Sequence, residues 1–94
     1  MNKPEIKLGA AVKSKAGRDT GRTFIVVELV DFEYVLVSDG RTHKMEKPKK
    51  KKLKHLKLVS EPTAEIAARL IGDPKPENHE VRKWLACMTG IKEE

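Results

Sequence analysis

The chain has few of the residues from which small proteins build disulfide, metal or membrane-spanning structures. Its 94 residues include a single cysteine, Cys87, so no internal disulfide can form, and no cysteine and histidine have the close spacing of a zinc site. No apolar run is long enough for a signal peptide or approaches the roughly 20 residues of a membrane span. We therefore expect a protein of a reducing compartment, the cytoplasm by default, with no cofactor, no metal and no membrane partner.

Catalytic groupings are equally scarce. The acidic residues are scattered among lysines, and no Ser/His/Asp or Cys/His arrangement can be placed on one face. No glycine-rich loop carries the lysine and Ser/Thr that a nucleoside triphosphate requires. The sequence thus predicts a protein that is not an enzyme and has no small-molecule substrate.

Positive charge, in contrast, is abundant and unevenly distributed. The formal net charge is +6, yet residues 1–59 hold 15 basic and 7 acidic residues, a net charge of +8, whereas residues 60–94 have a net charge of −2. Within the first part, residues 41–57 alone contain nine basic residues and one acidic residue, Glu46. A partner would therefore meet a local basic patch, which favours an anionic partner.

Apolar residues alternate with polar ones through much of the first sixty residues. This period of two predicts strands over 10–15, 23–30, 33–38 and 53–59, with a further short strand over 42–46. An Asp-Gly pair at 39–40 predicts a tight turn, and Gly17 and Gly21 flank Asp19 in a loop that the aspartate is expected to cap. The run of lysines at 49–52 is predicted to be a loop anchored at both ends by strands. Short strands joined by tight turns would close most economically into a small barrel.

Beyond residue 60 the apolar spacing becomes helical. Residues 62–72 predict a helix with Ser60 or Thr63 near its start and Gly72 at its end. Residues 77–90 predict a second helix, whose apolar stripe is formed by Val81, Trp84, Leu85 and Met88. Two short helices bury little by themselves, so we expect them to pack on the barrel, with Trp84 as a core contact.

Several stretches together resemble a known family. "GAAVKSKAGRDTGRTFIVVELVD" (9–31) is similar to a KOW motif, and "GRDTGR", "YVLVSDG" and "KHLKLV" follow in the order and spacing of the L14e family of ribosomal proteins; "ENHEVRKWL" is similar to the helix that follows the barrel in archaeal members. The resemblance implies a mainly β fold, a small SH3-like (KOW) barrel over 1–60 with a two-helix extension over 61–94. It further implies RNA binding through loops, in a ribosomal subunit or in an accessory RNA-binding protein.

The predicted function is therefore binding of structured RNA, namely ribosomal RNA or ribosomal particles, through a basic loop and the segments beside it. The candidate RNA-binding residues are Lys13, Lys15, Arg18, Arg22, Arg41, Lys44, Lys47, Lys49, Lys50, Lys51, Lys52 and Lys54. Few aromatic residues argue against a stacking platform for single strands. Two alternatives remain open: an adaptor that joins a transcription or translation complex through protein contacts, and a membrane-surface protein that uses the lysine run.

Overall fold

A computed structural model of the chain describes residues 6–90. Residues 1–5 of the predicted barrel segment (1–60) and residues 91–94 of the predicted helical extension (61–94) lie outside the described residues. Within residues 6–90 the chain forms five strands followed by two helices. The strands are β1 (Ala11–Ser14), β2 (Thr23–Leu29), β3 (Tyr34–Ser38), β4 (Lys49–Lys52) and β5 (Leu56–Ser60), and the helices are α1 (Ala64–Ile71) and α2 (Asn78–Thr89). The predicted mainly β fold with two C-terminal helices is confirmed.

The strands form one antiparallel sheet in the order β4-β3-β2-β1-β5. The first four strands are consecutive neighbours, and β5 returns to pair with β1. Strand β2 is the middle of the sheet, and four of its seven residues, 24–27, are buried. A β-branched, apolar sequence at this position fits a strand with neighbours on both sides and cores on both faces.

The expected closure into a barrel is wrong. Strands β4 and β5 are the two edges of the sheet, and no pairing joins them in the described part of the chain. A short 3-10 helix (Leu53–His55) connects them, and its backbone bonds elsewhere: the Leu53 amide donates to the Glu33 carbonyl (2.8 Å), and the His55 carbonyl accepts from the Lys15 amide (2.8 Å). The connection therefore bonds to the β2–β3 hairpin and to the β1–β2 loop, and the edge strands β4 and β5 do not pair with each other in the described part of the chain.

The lysine run is a strand and not a loop, which corrects a second expectation. Lys49–Lys52 is β4, paired with β3 so that Tyr34 lies opposite Lys52 and Val37 opposite Lys49. The β-propensity of lysine is low, so the pairing with an apolar neighbour strand, rather than local preference, fixes this conformation. Lysines at a sheet edge also discourage pairing with further chains.

Apolar side chains cover both faces of the sheet. On one face the buried cluster is Ala10, Val12, Phe24, Val26, Val35, Val37 and Leu56; on the other it is Ala11, Ile25, Val27, Ile66, Leu70, Val81 and Leu85. Both helices lie on the second face. The first face is covered in part by Ile6, by Leu53 of the 3-10 helix and by Leu58, and its central residues are fully buried. The strand register is irregular at Ala11/Val12 and Val26/Glu28, where an extra residue would bend the sheet locally.

Both helices begin at recognisable caps. Thr63, one of the two residues expected at the start of α1, accepts a hydrogen bond from the Ile66 amide at 3.1 Å. In α2, Glu77 and Glu80 form a reciprocal capping box, and the Glu80 carboxylate also binds Arg69 of α1 at 2.8 Å. Among residues 6–90, neither helix has the length and apolar character needed to cross a bilayer.

The segment between β3 and β4 folds onto α2. The expected short strand over 42–46 is wrong, since these residues form turns and bends. Asn78, the first residue of α2, accepts a hydrogen bond from the Met45 amide (2.8 Å) and donates to the Glu46 carboxylate (2.9 Å). Arg82, one turn later, donates to the Gly40 carbonyl at 2.9 Å. Backbone groups that a strand would have paired are therefore bonded to the helix.

Candidate nucleic-acid interface

The fold brings the β1–β2 loop (15–22), the β3–β4 loop (39–48) and strand β4 together. Arg22 Nη1 donates to Thr42 Oγ1 at 3.3 Å, which joins the two loops at the surface. Below this contact, Asp19 Oδ1 lies 3.4 Å from His43 Nε2, and Asp19 Oδ2 lies 3.4 Å from Lys51 Nζ. Three segments that the sequence separates by up to thirty residues thus meet around one carboxylate.

Asp19 was expected to cap its own loop, but its side chain instead bonds to the other two segments. Only 8% of the residue is exposed. Burial by itself raises the pKa of the carboxyl, but the hydrogen bonds and positive charge of His43 and Lys51 outweigh it and hold the pKa below its ordinary value. The carboxylate is therefore ionised at neutral pH and attracts both partners.

Lys51 differs from the other lysines of β4. Its side chain is only 10% exposed, and its ammonium lies against Asp19 and within 3.4 Å of Ser14 Oγ. The charge of this predicted RNA-binding residue is thus engaged inside the protein. It positions the surrounding segments, and we do not include it among the residues proposed to contact phosphates.

The remaining lysines of β4 lie on both faces of the strand. Because successive side chains of a strand point to opposite faces, Lys50 and Lys52 share the face of Tyr34, whereas Lys49 lies on the face of Lys51. Lys50 Nζ is 4.5 Å from the centre of the Tyr34 ring, and Lys52 Nζ is 5.9 Å from it. The run therefore does not present four ammonium groups to one partner surface.

Exposed cations from the two loops and the start of β4 form what we call the loop-side basic surface. Its members are Arg18, Arg22, Arg41, Lys44, Lys47 and Lys49. The acidic residues of the same segments are directed to other groups: Asp39 Oδ1 accepts from the Arg41 and His43 amides, and Glu46 accepts from Asn78. The six cations outnumber these two carboxylates, so the surface is predominantly positive.

One basic residue near this surface was missed by sequence reasoning. A groove of about 540 Å³ runs between the loops and α2, lined by Lys13, Arg22, Arg41 and Arg82 among others. Arg82 comes from a segment whose net charge is negative, and the helical spacing places it beside the apolar stripe. Only the packing of α2 against Gly40 brings its guanidinium to the loops.

Lys15 and Lys54 are not part of the loop-side basic surface. They line a second, more apolar groove, together with Lys57 and the tip of the β2–β3 hairpin. Lys13 lines the groove beside α2, and Lys50 and Lys52 lie on the Tyr34 face of β4. The predicted site residues therefore do not form one surface.

The cluster around Asp19 contains residue types that occur in hydrolases. The sequence offered no Ser/His/Asp arrangement on one face, yet the fold places Ser14, Asp19 and His43 close to one another. Ser14 is 1% exposed, however, and its hydroxyl donates to the Ala16 carbonyl at 2.9 Å instead of to His43. This cluster therefore lacks an accessible nucleophile with an adjacent base.

No protein-family model matches the chain, and a search of curated proteins found no match.

Proposed function

We propose that the protein binds structured RNA through the loop-side basic surface. The observation that carries the proposal is the convergence of two basic loops and a lysine strand around the buried carboxylate of Asp19. A solvated charge run needs no such anchoring, whereas a binding surface gains from it, because cations held in place lose less entropy when they meet phosphates.

The mechanism is phosphate neutralisation on a preformed surface. Lys44, Lys47 and Lys49 supply compact charges that release counterions from the RNA backbone. The guanidinium groups of Arg18 and Arg22 are suited to forked contacts with phosphate or base edges, which demand a particular geometry. Structured RNA fits such a surface, since its shape and phosphate spacing can be recognised without base-specific pairing.

The family resemblance refines this proposal. An open sheet in which β5 returns to β1 and a 3-10 helix follows β4 is compatible with a unit of the SH3-like KOW type. On that basis we infer a non-catalytic, cytoplasmic protein that acts with ribosomal RNA or ribosomal particles, either as a subunit or as an accessory protein.

Salt titration of RNA binding tests the proposal. Each lysine that contacts a phosphate contributes about 0.7 to 0.9 to the slope of log affinity against log salt. Replacing Lys44, Lys47 and Lys49 with serine should therefore weaken binding to a hairpin RNA and flatten this slope by roughly 2 to 3 units. Fluorescence anisotropy at several salt concentrations measures both quantities.

A control variant replaces Lys7 and Lys83, two exposed lysines outside the loop-side basic surface, with serine. It should lower affinity less per charge removed and leave the slope nearly unchanged. Equal slopes for the wild type and the triple variant would show that the surface is only solvated. If the tagged protein kept its cellular partners after ribonuclease treatment and bound no RNA, an adaptor role would replace the proposal.

A further inference from the structure

The hairpin that joins β2 and β3 exposes apolar side chains. Phe32, at its tip, is 92% exposed, and the neighbouring Leu29 and Val30 are 52% and 43% exposed. Among the described residues these are three of the five large apolar side chains that face solvent, and they are consecutive or nearly so. A contiguous apolar tip of this kind marks an interaction site more often than single exposed residues do.

A groove begins beside this tip. It has a volume of about 660 Å³, within the range of ligand sites, and lies between the hairpin and the segment from the 3-10 helix into β5. The buried core residues Val35 and Leu56 form its floor, and Leu53 and Leu58 are among its walls.

Three lysines, Lys15, Lys54 and Lys57, line the same groove. No hydrogen bond or ion pair within residues 6–90 engages their ammonium groups. The two acidic residues of the groove are both occupied: Asp31 accepts from the Glu33 and Tyr34 amides at 2.8 Å each, and Glu33 lies 3.9 Å from Lys52. An occupant therefore meets an apolar floor, an exposed aromatic ring and three ammonium groups that have no partner among residues 6–90.

We propose that this groove binds an unpaired nucleotide of the RNA, with its base stacked on Phe32 and its phosphates against Lys15 and Lys54. A nucleotide combines a flat apolar face with an adjacent anion, which is the combination that the groove complements. This inference rests on the proposed RNA binding but names a second contact, outside the loop-side basic surface, and a preference for RNA with an unpaired base. A purely apolar protein partner would leave the three ammonium groups uncompensated.

Fluorine NMR gives a direct test, because the chain has only two phenylalanines. Protein labelled with 4-fluorophenylalanine should show two resonances, and the Phe32→Leu variant assigns them. Adding a structured RNA that carries one bulged, unpaired base should shift the Phe32 resonance through the ring current of the base, while the resonance of the fully buried Phe24 should stay in place as an internal control.

Affinity measurements complete the test. Phe32→Ala should weaken binding of that RNA about fivefold or more, as removal of a base-stacking aromatic does. An RNA with an abasic site in place of the unpaired base should lose affinity for the wild type by a similar factor and show no further loss with Phe32→Ala. Ile71→Ala, which truncates a 73% exposed side chain on α1, is the matched control and should leave affinity unchanged.

The outcomes separate the two proposals. Salt-dependent RNA binding with no effect of Phe32→Ala and no shift of the Phe32 resonance would overturn this inference and leave the loop-side basic surface intact. Absence of RNA binding in the wild type would overturn both. Unchanged RNA affinity together with loss of a protein partner in Phe32→Ala would assign the groove to a protein instead.

Discussion

Asp19 is the residue on which the arrangement of the loop-side basic surface depends. Its carboxylate contacts His43 of one loop and Lys51 of the edge strand, and neither partner is near it in sequence. Because a carboxylate can accept from both partners at once, one buried acidic residue holds the two loops and the edge strand together. A binding surface rich in cations needs such a counter-charge beneath it.

Replacing Asp19 with asparagine should lower the free energy of unfolding at pH 7 by about 1 to 2 kcal/mol, because charge-assisted hydrogen bonds are replaced by weaker ones. The pKa of this carboxyl is lowered by folding, so its contribution is present above the unfolded pKa of about 3.9 and is lost as pH falls through the folded pKa. The difference between wild type and variant should thus shrink below about pH 4. Urea unfolding between pH 7 and pH 2 measures it.

Glu28→Gln is a suitable control, since this exposed carboxyl has no ion-pair partner within the described residues. It should change stability by less than about 0.5 kcal/mol. If Asp19→Asn were equally mild at pH 7, the proposed anchoring role of Asp19 would be incorrect.

Gly40 is the point at which the β3–β4 loop meets α2. Its φ is +73°, and a Cβ on this residue would stand 2.5 Å from the Asn78 carbonyl oxygen. Gly21 has a similar φ of +89° but nothing within 4 Å of the corresponding position. The two glycines therefore separate the cost of backbone conformation from the cost of a steric clash.

Gly40→Ala should destabilise the protein by about 1 to 3 kcal/mol more than Gly21→Ala does, because the alanine must push the loop away from the helix. The Gly21 variant bears only the conformational cost of about 1 to 2 kcal/mol. Thermal unfolding of both variants gives the comparison. Equal losses would mean that the contact between Gly40 and α2 is not tightly packed in solution.

At the scale of elements, strand β4 shows how pairing can impose structure on four consecutive lysines. The Leu53 amide, just after β4, donates to the Glu33 carbonyl of the neighbouring hairpin. Because alternate residues of an antiparallel strand bond to the same neighbour, the amides of Lys49 and Lys51 also face β3, whereas the amides of Lys50 and Lys52 face solvent.

Proline substitution distinguishes this strand from a loop. Lys51→Pro removes an amide that faces β3 and should cost at least about 1 kcal/mol more than Lys51→Ala, which loses the contact with Asp19 but keeps the amide. Lys50→Pro removes an amide that faces solvent and should be tolerated. Urea unfolding of the three variants measures the costs, and equal tolerance of proline at both positions would indicate a loop.

At the scale of the whole molecule, the helices and the sheet share one of the two cores. Leu70 of α1 is 2% exposed, and Val81 and Leu85 of α2 lie in the same cluster as Ile25 and Val27 of the central strand. Both helices thus bury their apolar faces against the sheet. We expect the chain to unfold as one cooperative unit.

Leu70→Ala should lower the free energy of unfolding by about 2 to 5 kcal/mol, as for other buried leucines. The transitions followed by Trp84 emission and by far-UV circular dichroism should shift together, since the tryptophan reports on α2 and the dichroism on all elements. Transitions that separated in the variant would show that the helices unfold independently of the sheet.

The sequence by itself determined the local structure where side-chain periodicity and capping agree with the final packing. The period of two predicted β1, β2 and β3, and it predicted β5 in part, since residues 53–55 of the expected strand over 53–59 form a 3-10 helix. The helical spacing with Thr63 and Gly72 predicted the bounds of α1 closely. It also determined the uneven charge on which the proposed function rests. These features depend on residues near one another in the chain, which is why they can be predicted without a structure.

Tertiary structure alone decided what depends on contacts between distant segments. Lys49–Lys52 is a strand because pairing with β3 outweighs the low β-propensity of lysine. The sheet stays open because the turn after β4 bonds to the β2–β3 hairpin and to the β1–β2 loop. Tertiary structure left Trp84 only partly buried at the edge of a core. It also directed Asp19 towards Lys51, thirty-two residues away, since a buried charge must find its partner wherever the fold provides one.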